Sequence, residues 1–152
     1  MKKLKIFKPQ KITGRKINIG LIGCGRISDK HIEAIFNNQE NLLLKAICDT
    51  NEERLKEKKN IIFKEQSKSN KINQLNIYKS YADFLKDVEN GNLQIDLIIL
   101  TTPSGLHPKQ TIEASKLGIN ICTEKPMATR WEDGRRMVQS CEDNGVHLFV
   151  VK

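Results

Sequence analysis

The 152-residue sequence has no cysteine pair at C-x-x-C spacing, no long uninterrupted apolar run and no internal repeat. Its four cysteines stand far apart, at positions 24, 48, 122 and 141, so reduced thiols are expected and a metal site is not. The first apolar run, residues 17–24, contains an asparagine and two glycines and is too short to span a membrane. Pro9 and Gln10 stand where a secretory signal would place its apolar stretch. These absences favour a soluble, cytoplasmic protein with no membrane span.

The net charge of +8 is unevenly distributed along the chain. Residues 1–15 contain six basic residues and no acidic one, and residues 52–73 carry a net charge of +3, so the remainder is close to neutral. Strong basicity is typical of nucleic-acid-binding proteins, and binding through residues 1–15 is one hypothesis. Because the charge is confined to a basic N-terminal arm and one local segment, no nucleic-acid partner is expected.

Apolar runs alternate with helical patterns throughout residues 16–152. Six predicted strands and five intervening helices indicate right-handed βαβ crossovers and an α/β fold with a doubly wound, parallel six-stranded sheet. A chain of this length can bury a substantial core as one domain. Residues 60–73 are polar and fit no element, so they are predicted to form a flexible insertion within this domain.

A glycine-rich run, G-C-G-R-I-S at residues 23–28, follows the first strand and opens the first helix. Gly23 allows a tight turn, and Gly25 lets the backbone approach a pyrophosphate. Ser28 stands where the fingerprint has its third glycine and is still small. The pyrophosphate would rest on amides at the helix N-terminus, where Arg26 and Ile27 lie. The alternative is a purely structural turn.

Asp49 follows the second predicted strand, 24 residues after Gly25. A carboxylate there accepts hydrogen bonds from the ribose hydroxyls of adenosine and repels a 2′-phosphate. Because the next four residues include no arginine, NAD is favoured over NADP. The alternative role for Asp49 is to cap the following helix.

Two further motifs, T-T-P-S-G-L-H at residues 101–107 and T-E-K-P at residues 123–126, follow the fourth and fifth strands. Open α/β sheets bind their ligands at these carboxyl ends. Together with the glycine run, the motifs resemble the Gfo/Idh/MocA oxidoreductase family over residues 16–152, with E-K-P as the most specific element. Residues 122–127 and 148–152 look most like a branch that oxidises nucleotide sugars in surface-polysaccharide synthesis.

The resemblance implies a Rossmann fold that binds NAD and a role for each matching residue. Thr102, Pro103 and His107 would line the cofactor, and Glu124 would hold the region of the nicotinamide ribose. Lys125 would face the substrate hydroxyl and act as the catalytic residue, stabilising developing negative charge or sharing the proton transfer. The alternatives are a solvated loop charge for Lys125 and, for His107, a cap of the next helix.

Family members continue after the sixth strand into a substrate domain and are usually homo-oligomers. The resemblance therefore implies that this chain holds the cofactor, lacks the substrate domain and is not catalytically complete alone. The partner expected is a sugar or nucleotide sugar. Two other hypotheses are a non-catalytic dinucleotide-binding or interaction module and a methyltransferase-like fold, although the latter does not predict the E-K-P motif.

Overall fold

The computed structural model describes residues 11–69 and 73–152. Within these ranges, six strands form one sheet in the order β3-β2-β1-β4-β5-β6, and every neighbouring pair is parallel. The strands are β1 (Ile17–Ile22), β2 (Leu42–Cys48), β3 (Asn76–Tyr78), β4 (Leu97–Leu100), β5 (Asn120–Thr123) and β6 (Leu148–Val150). The helices are α1 (Ser28–Asn37), α2 (Glu52–Lys68), α3 (Tyr81–Glu89), α4 (His107–Lys116) and α5 (Trp131–Asn144).

Apolar side chains cover both faces of the sheet because its central strands are buried between helices. On one face, Ile19 and Leu21 of β1 pack with Ile32 of α1. On the other face, Ile22 joins Phe84 of α3. A Cβ at Gly20 would lie 2.8 Å from the Phe84 ring, so this helix packs directly on the β1 backbone. The predicted α/β class and doubly wound parallel sheet are confirmed.

The order of the strands creates a switch point between β1 and β4. The chain leaves β1 towards β2 on one side, and later enters β4 on the other side of β1. Crossovers therefore diverge at the carboxyl ends of β1 and β4, which opens a crevice at that edge. The residues that follow β1, β2, β4 and β5 meet there.

The predicted flexible insertion at residues 60–73 is wrong for residues 60–68, which continue α2 as regular helix. The buried positions of α2 are Leu55, Lys58, Ile62 and Gln66, spaced as one face of a helix requires. Two of these four residues are polar, so the spacing of apolar residues in the sequence does not reveal the buried face of α2. The rest of the predicted segment includes residues 70–72, which lie outside the described residues.

The last residue of the predicted basic arm, Arg15, contacts the sheet. Both terminal nitrogens of Arg15 contact the Asp96 carboxylate, at 2.7 and 2.8 Å, just before β4. The same carboxylate accepts the backbone N–H of Asn18 at 2.8 Å. Arg15 is therefore attached to the amino edge of the sheet. Residues 1–10 of the arm lie outside the described residues.

No helix in the described ranges is long and apolar enough to cross a membrane.

Candidate functional site: a cofactor crevice at the carboxyl edge of the sheet

The loop between β1 and α1, residues 23–27, lies directly against the end of β4. Gly23 has a φ of +95°, and a Cβ there would lie 2.7 Å from the carbonyl carbon of Thr101. The Thr101 hydroxyl donates a 2.6 Å hydrogen bond to the Gly23 carbonyl oxygen. Glycine is therefore required at this position by both its backbone conformation and the close approach of the two chains.

The other small residues of the loop have different surroundings. Ser28 is completely buried, and its hydroxyl donates to the Gly25 carbonyl oxygen at 2.5 Å. A Cβ at Gly25, in contrast, would meet no protein atom within 4 Å. Gly25 thus presents an open backbone surface to the crevice, which is what a pyrophosphate needs, while Ser28 allows α1 to pack closely.

Backbone N–H groups are available at the same point. In the described part of the chain, the N–H groups of Gly25, Arg26 and Ile27 make no hydrogen bond, whereas that of Ser28 donates to Gly25. The Ile27 side chain is 44% exposed beside them. Unpaired amides at the start of a helix bind anions because the helix dipole adds to their positive charge.

The Asp49 carboxylate lies immediately after β2 and is held by two backbone N–H groups. Its Oδ2 accepts from Cys24 at 2.7 Å, and its Oδ1 accepts from Asn51 at 2.8 Å. The side chain that caps α2 is Asn51, which accepts from Glu53 and Arg54. Asp49 is therefore not the cap of α2, and the alternative prediction that it caps this helix is wrong. Each oxygen keeps a lone pair for a further donor.

A cavity of about 270 Å³ joins these elements. Its lining includes Gly23, Gly25, Asp49, Thr102 and Pro103, which were predicted cofactor residues. It also includes Arg54, which sequence reasoning missed because only the four residues after Asp49 were considered. Arg54 lies in the first turn of α2, one residue beyond those four. Considering the whole first turn of the helix after Asp49 would have included it.

His107 lies behind the crevice and not at its surface. The residue is 1% exposed, with Nε2 2.8 Å from the Thr102 carbonyl oxygen and Nδ1 3.2 Å from that of Pro126. The ring donates to at least one of these carbonyls, whichever tautomer is present. Leu106 occupies the cap position of α4, so His107 is not the helix cap. The imidazole connects the loops after β4 and β5.

The E-K-P motif follows β5 at the same edge. Glu124 Oε1 lies 2.7 Å from His31 Nε2, and Glu124 Oε2 accepts the backbone N–H of Lys125 at 3.2 Å. The Lys125 side chain is exposed, and the Lys125–Pro126 peptide bond is cis. His31 had no predicted functional role. The sequence feature that could have indicated a role for His31 is its position one turn after Ser28, since that spacing places both residues on the same face of α1.

The Cys24 thiol is not a reactive group in this crevice. Burial raises the pKa of the Cys24 thiol to about 12, and the nearby Asp49 and Cys48 act in the same direction. The thiol is therefore neutral at physiological pH and a poor nucleophile. Across the described ranges, no three His, Cys, Asp or Glu side chains are grouped so as to hold a metal ion.

A larger cavity, of about 790 Å³, lies along α5 and is lined by Trp131, Arg135 and Val138. Trp131 is 81% exposed there. None of the predicted cofactor residues lines this cavity. Those predicted cofactor residues that line a cavity therefore line the smaller crevice, where unpaired amides and an acidic side chain converge.

An open backbone at Gly25, free amides at the start of α1, and an acid after β2 fit a dinucleotide. Their position at the switch point defines a dinucleotide-binding domain of the Rossmann class. Residues 17–152 match the sequence profile of the Gfo/Idh/MocA oxidoreductases, described as an oxidoreductase family with an NAD-binding Rossmann fold. The chain belongs to this family.

Solved structures and characterised relatives agree with this assignment. The WlbA dehydrogenase from Bordetella pertussis, solved with NADH and UDP-GlcNAcA, is 44% identical, with a TM-score of 0.77 over 90% of this chain and 37% of its own. The WlbA dehydrogenase from Chromobacterium violaceum, solved with the same ligands, is 40% identical, with a TM-score of 0.79 over 92% and 36%. Myo-inositol 2-dehydrogenase from Thermotoga maritima is 28% identical over 88% of this chain and 35% of its own.

The chain therefore spans little more than a third of the length of these relatives. The predicted family, Rossmann fold and NAD cofactor are confirmed.

Proposed function

We propose that this chain is the cofactor-binding part of an NAD-dependent dehydrogenase that removes a hydride from a hydroxyl-bearing carbon of a nucleotide sugar. The observation that carries the proposal is Lys125, an exposed residue whose backbone N–H donates to the Glu124 carboxylate at the ligand-binding edge of the sheet. The substrate class is inferred from the two WlbA dehydrogenases with bound UDP-GlcNAcA.

The predicted cofactor residues divide between the two halves of NAD. The amides of Gly25, Arg26 and Ile27 hold the pyrophosphate, and the remaining lone pairs of Asp49 accept from the adenosine ribose. Thr102 and Pro103 line the crevice beside the glycine loop. NAD, when bound, supplies the acceptor for the hydride. His107 supports the nicotinamide side from behind, since its buried ring joins the loops that carry Thr102 and Pro126.

Lys125 acts on the substrate oxygen and not on the cofactor. Loss of a hydride from the carbon leaves positive character that is relieved as the hydroxyl loses its proton. An ammonium within hydrogen-bond distance stabilises the negative charge that develops on that oxygen, or takes part in moving the proton. Glu124 restricts Lys125, because its Oε2 accepts the Lys125 backbone N–H.

The protein is proposed to work in the cytoplasm, where nicotinamide cofactors are available and its four cysteines remain reduced. Its partners are a small sugar or nucleotide-sugar substrate and further copies of the protein, as is usual in the family.

Isothermal titration with NAD, NADP and S-adenosylmethionine tests the cofactor assignment. We expect NAD to bind most tightly, NADP to bind at least about tenfold more weakly because of Asp49, and S-adenosylmethionine not to bind. Failure of NAD to bind would contradict the proposed function. Tighter binding of NADP would contradict the role of Asp49.

Titration of the NADH-loaded chain with UDP-GlcNAcA tests the substrate class and Lys125. We expect Lys125→Gln to weaken this binding by about tenfold, the loss of one charge-assisted hydrogen bond. The control is Lys116→Gln, the same loss of charge at an exposed position at the end of α4. Equal binding by both variants would exclude Lys125 from the substrate site.

A further inference from the structure

The Glu124 carboxylate is held by His31, a residue of α1 and not of its own loop. Its side chain is 12% exposed, and that of His31 is 15% exposed, so the 2.7 Å contact between them is largely shielded from water. The second carboxylate oxygen accepts the backbone N–H of Lys125. Both oxygens of Glu124 are therefore occupied by protein groups, and one of those groups belongs to α1.

His31 connects the two halves of the predicted cofactor site. It lies three residues after Ser28, whose hydroxyl holds the Gly25 carbonyl oxygen in the glycine loop. Residues three apart on a helix share a face, so the first turn of α1 contacts the glycine loop through Ser28 and the E-K-P loop through His31. The first turn of one helix thereby fixes the distance between the pyrophosphate amides and Glu124.

The other end of the E-K-P loop is fixed by a second histidine. His107 Nδ1 lies 3.2 Å from the carbonyl oxygen of Pro126, the residue after Lys125. Lys125 thus lies between two residues that are each held by an imidazole, one from α1 and one from α4. The side chain of Lys125 stays exposed while its backbone is restrained on both sides.

We propose that His31 is a positioning residue, which fixes Glu124 and, through it, the backbone of Lys125 relative to the bound nicotinamide. This inference rests on the proposed function, in which Glu124 and Lys125 face the nicotinamide half of NAD. Removing His31 leaves the shielded Oε1 of Glu124 without its partner, and an unpaired carboxylate oxygen turns towards water. The loop would then lose its alignment with α1, while the adenosine subsite around Asp49 keeps its contacts.

The test compares ligands that occupy one or both halves of the site. Binding of 5′-AMP reports the adenosine half, and binding of NADH reports both halves, with nicotinamide fluorescence as a signature of the second. For His31→Leu we expect AMP affinity within about twofold of wild type and NADH affinity about tenfold lower, the value of one hydrogen bond to a charged group. The emission of bound NADH should shift towards that of free NADH.

Two further variants complete the test. His31→Gln keeps an N–H donor and should recover most of the NADH affinity and emission, whereas His31→Asn is too short and should behave like His31→Leu. The matched control is His147→Leu, the same substitution at the amino end of the strands. His147 directly precedes β6, and its carbonyl oxygen accepts the backbone N–H of Ile121. It should leave NADH emission unchanged.

Equal losses of AMP and NADH affinity in His31→Leu and His31→Asn would overturn the inference, because they would show general support of the glycine loop. Unchanged binding of both ligands would overturn it as well. If His31→Leu does not fold, His31→Asn and His31→Gln still give the comparison. Failure of the wild-type chain to bind NADH would instead contradict the proposed function itself.

Discussion

Replacement of Gly23 by alanine tests the close approach of the glycine loop to β4. The new Cβ would lie 2.7 Å from the Thr101 carbonyl carbon and 2.8 Å from the Thr102 nitrogen. Both neighbours are backbone atoms that follow a buried central strand, so neither can rotate away as a side chain could. The φ of +95° is also unfavourable for any residue with a Cβ.

The expected cost is large for a single methyl group. Holding a non-glycine residue in such a conformation costs about 1–3 kcal/mol. Forcing a methyl group against fixed atoms adds about 1–3 kcal/mol. We therefore expect the free energy of unfolding to fall by about 2–6 kcal/mol, against a usual total of about 5–15 kcal/mol for a domain.

Urea unfolding, followed by circular dichroism, measures this loss, and Gly25→Ala is the matched control. A Cβ at Gly25 meets no protein atom within 4 Å, so this variant should unfold at the wild-type midpoint or slightly above it. Its NAD affinity should nevertheless fall by about tenfold or more, because the methyl group enters the space meant for the pyrophosphate. A Gly23→Ala variant as stable as wild type would refute the packing argument, and normal NAD binding by Gly25→Ala would refute the pyrophosphate position.

Three other predictions concern charge and ionisation. Asp49→Asn should raise the affinity for NADP relative to NAD, and a second substitution, Arg54→Gln, should remove that gain, because Arg54 is the cation lining the same cavity. Titration of both cofactors gives the ratio of the two affinities. If Arg54→Gln leaves this ratio unchanged, the proposed role of Arg54 is contradicted. Burial opposes ionisation of Asp96, but hydrogen bonds from Arg15 and the Asn18 N–H outweigh it and hold the pKa of Asp96 below its ordinary value. The contribution of the ionised Asp96 to stability is therefore complete above the unfolded-state pKa of about 4 and is lost as pH falls through the lower folded-state pKa. Wild type should therefore lose more stability than Asp96→Asn between about pH 5 and pH 2 in urea titrations. The Cys24 thiol, with a pKa of about 12, should resist alkylation at about pH 8 in the native protein and react readily in urea, as peptide mass spectrometry would show.

The sequence predicts the parts of the fold that depend on backbone restrictions. Pro108 marks the first turn of α4, and Gly118 and Gly145, both with positive φ, mark the ends of α4 and α5. Each restriction is local, so it is visible without knowledge of the rest of the chain. The extent of α2 cannot be predicted in this way, because Lys58 and Gln66 occupy buried positions where an amphipathic helix usually has hydrophobic residues.

In the crevice, too, the sequence predicts local features better than contacts between distant residues. Asp49 is found from the sequence because it directly follows a strand whose end must lie at the ligand edge. The contact between His31 and Glu124 joins residues 93 positions apart, on elements brought together only by the order of the strands. His107 matches a motif, but its burial beneath two loops depends on how both loops fold.

The hydrogen bond from the Cys24 N–H to Asp49 gives the crevice a particular evolutionary constraint. The side chain proposed to discriminate between NAD and NADP also holds the backbone of the loop proposed to bind the pyrophosphate. A lineage that replaces this aspartate by a residue without an acceptor oxygen must at the same step supply a new acceptor for the Cys24 amide. Replacements of that kind should therefore appear as paired substitutions, with residue 49 and the glycine loop altered together.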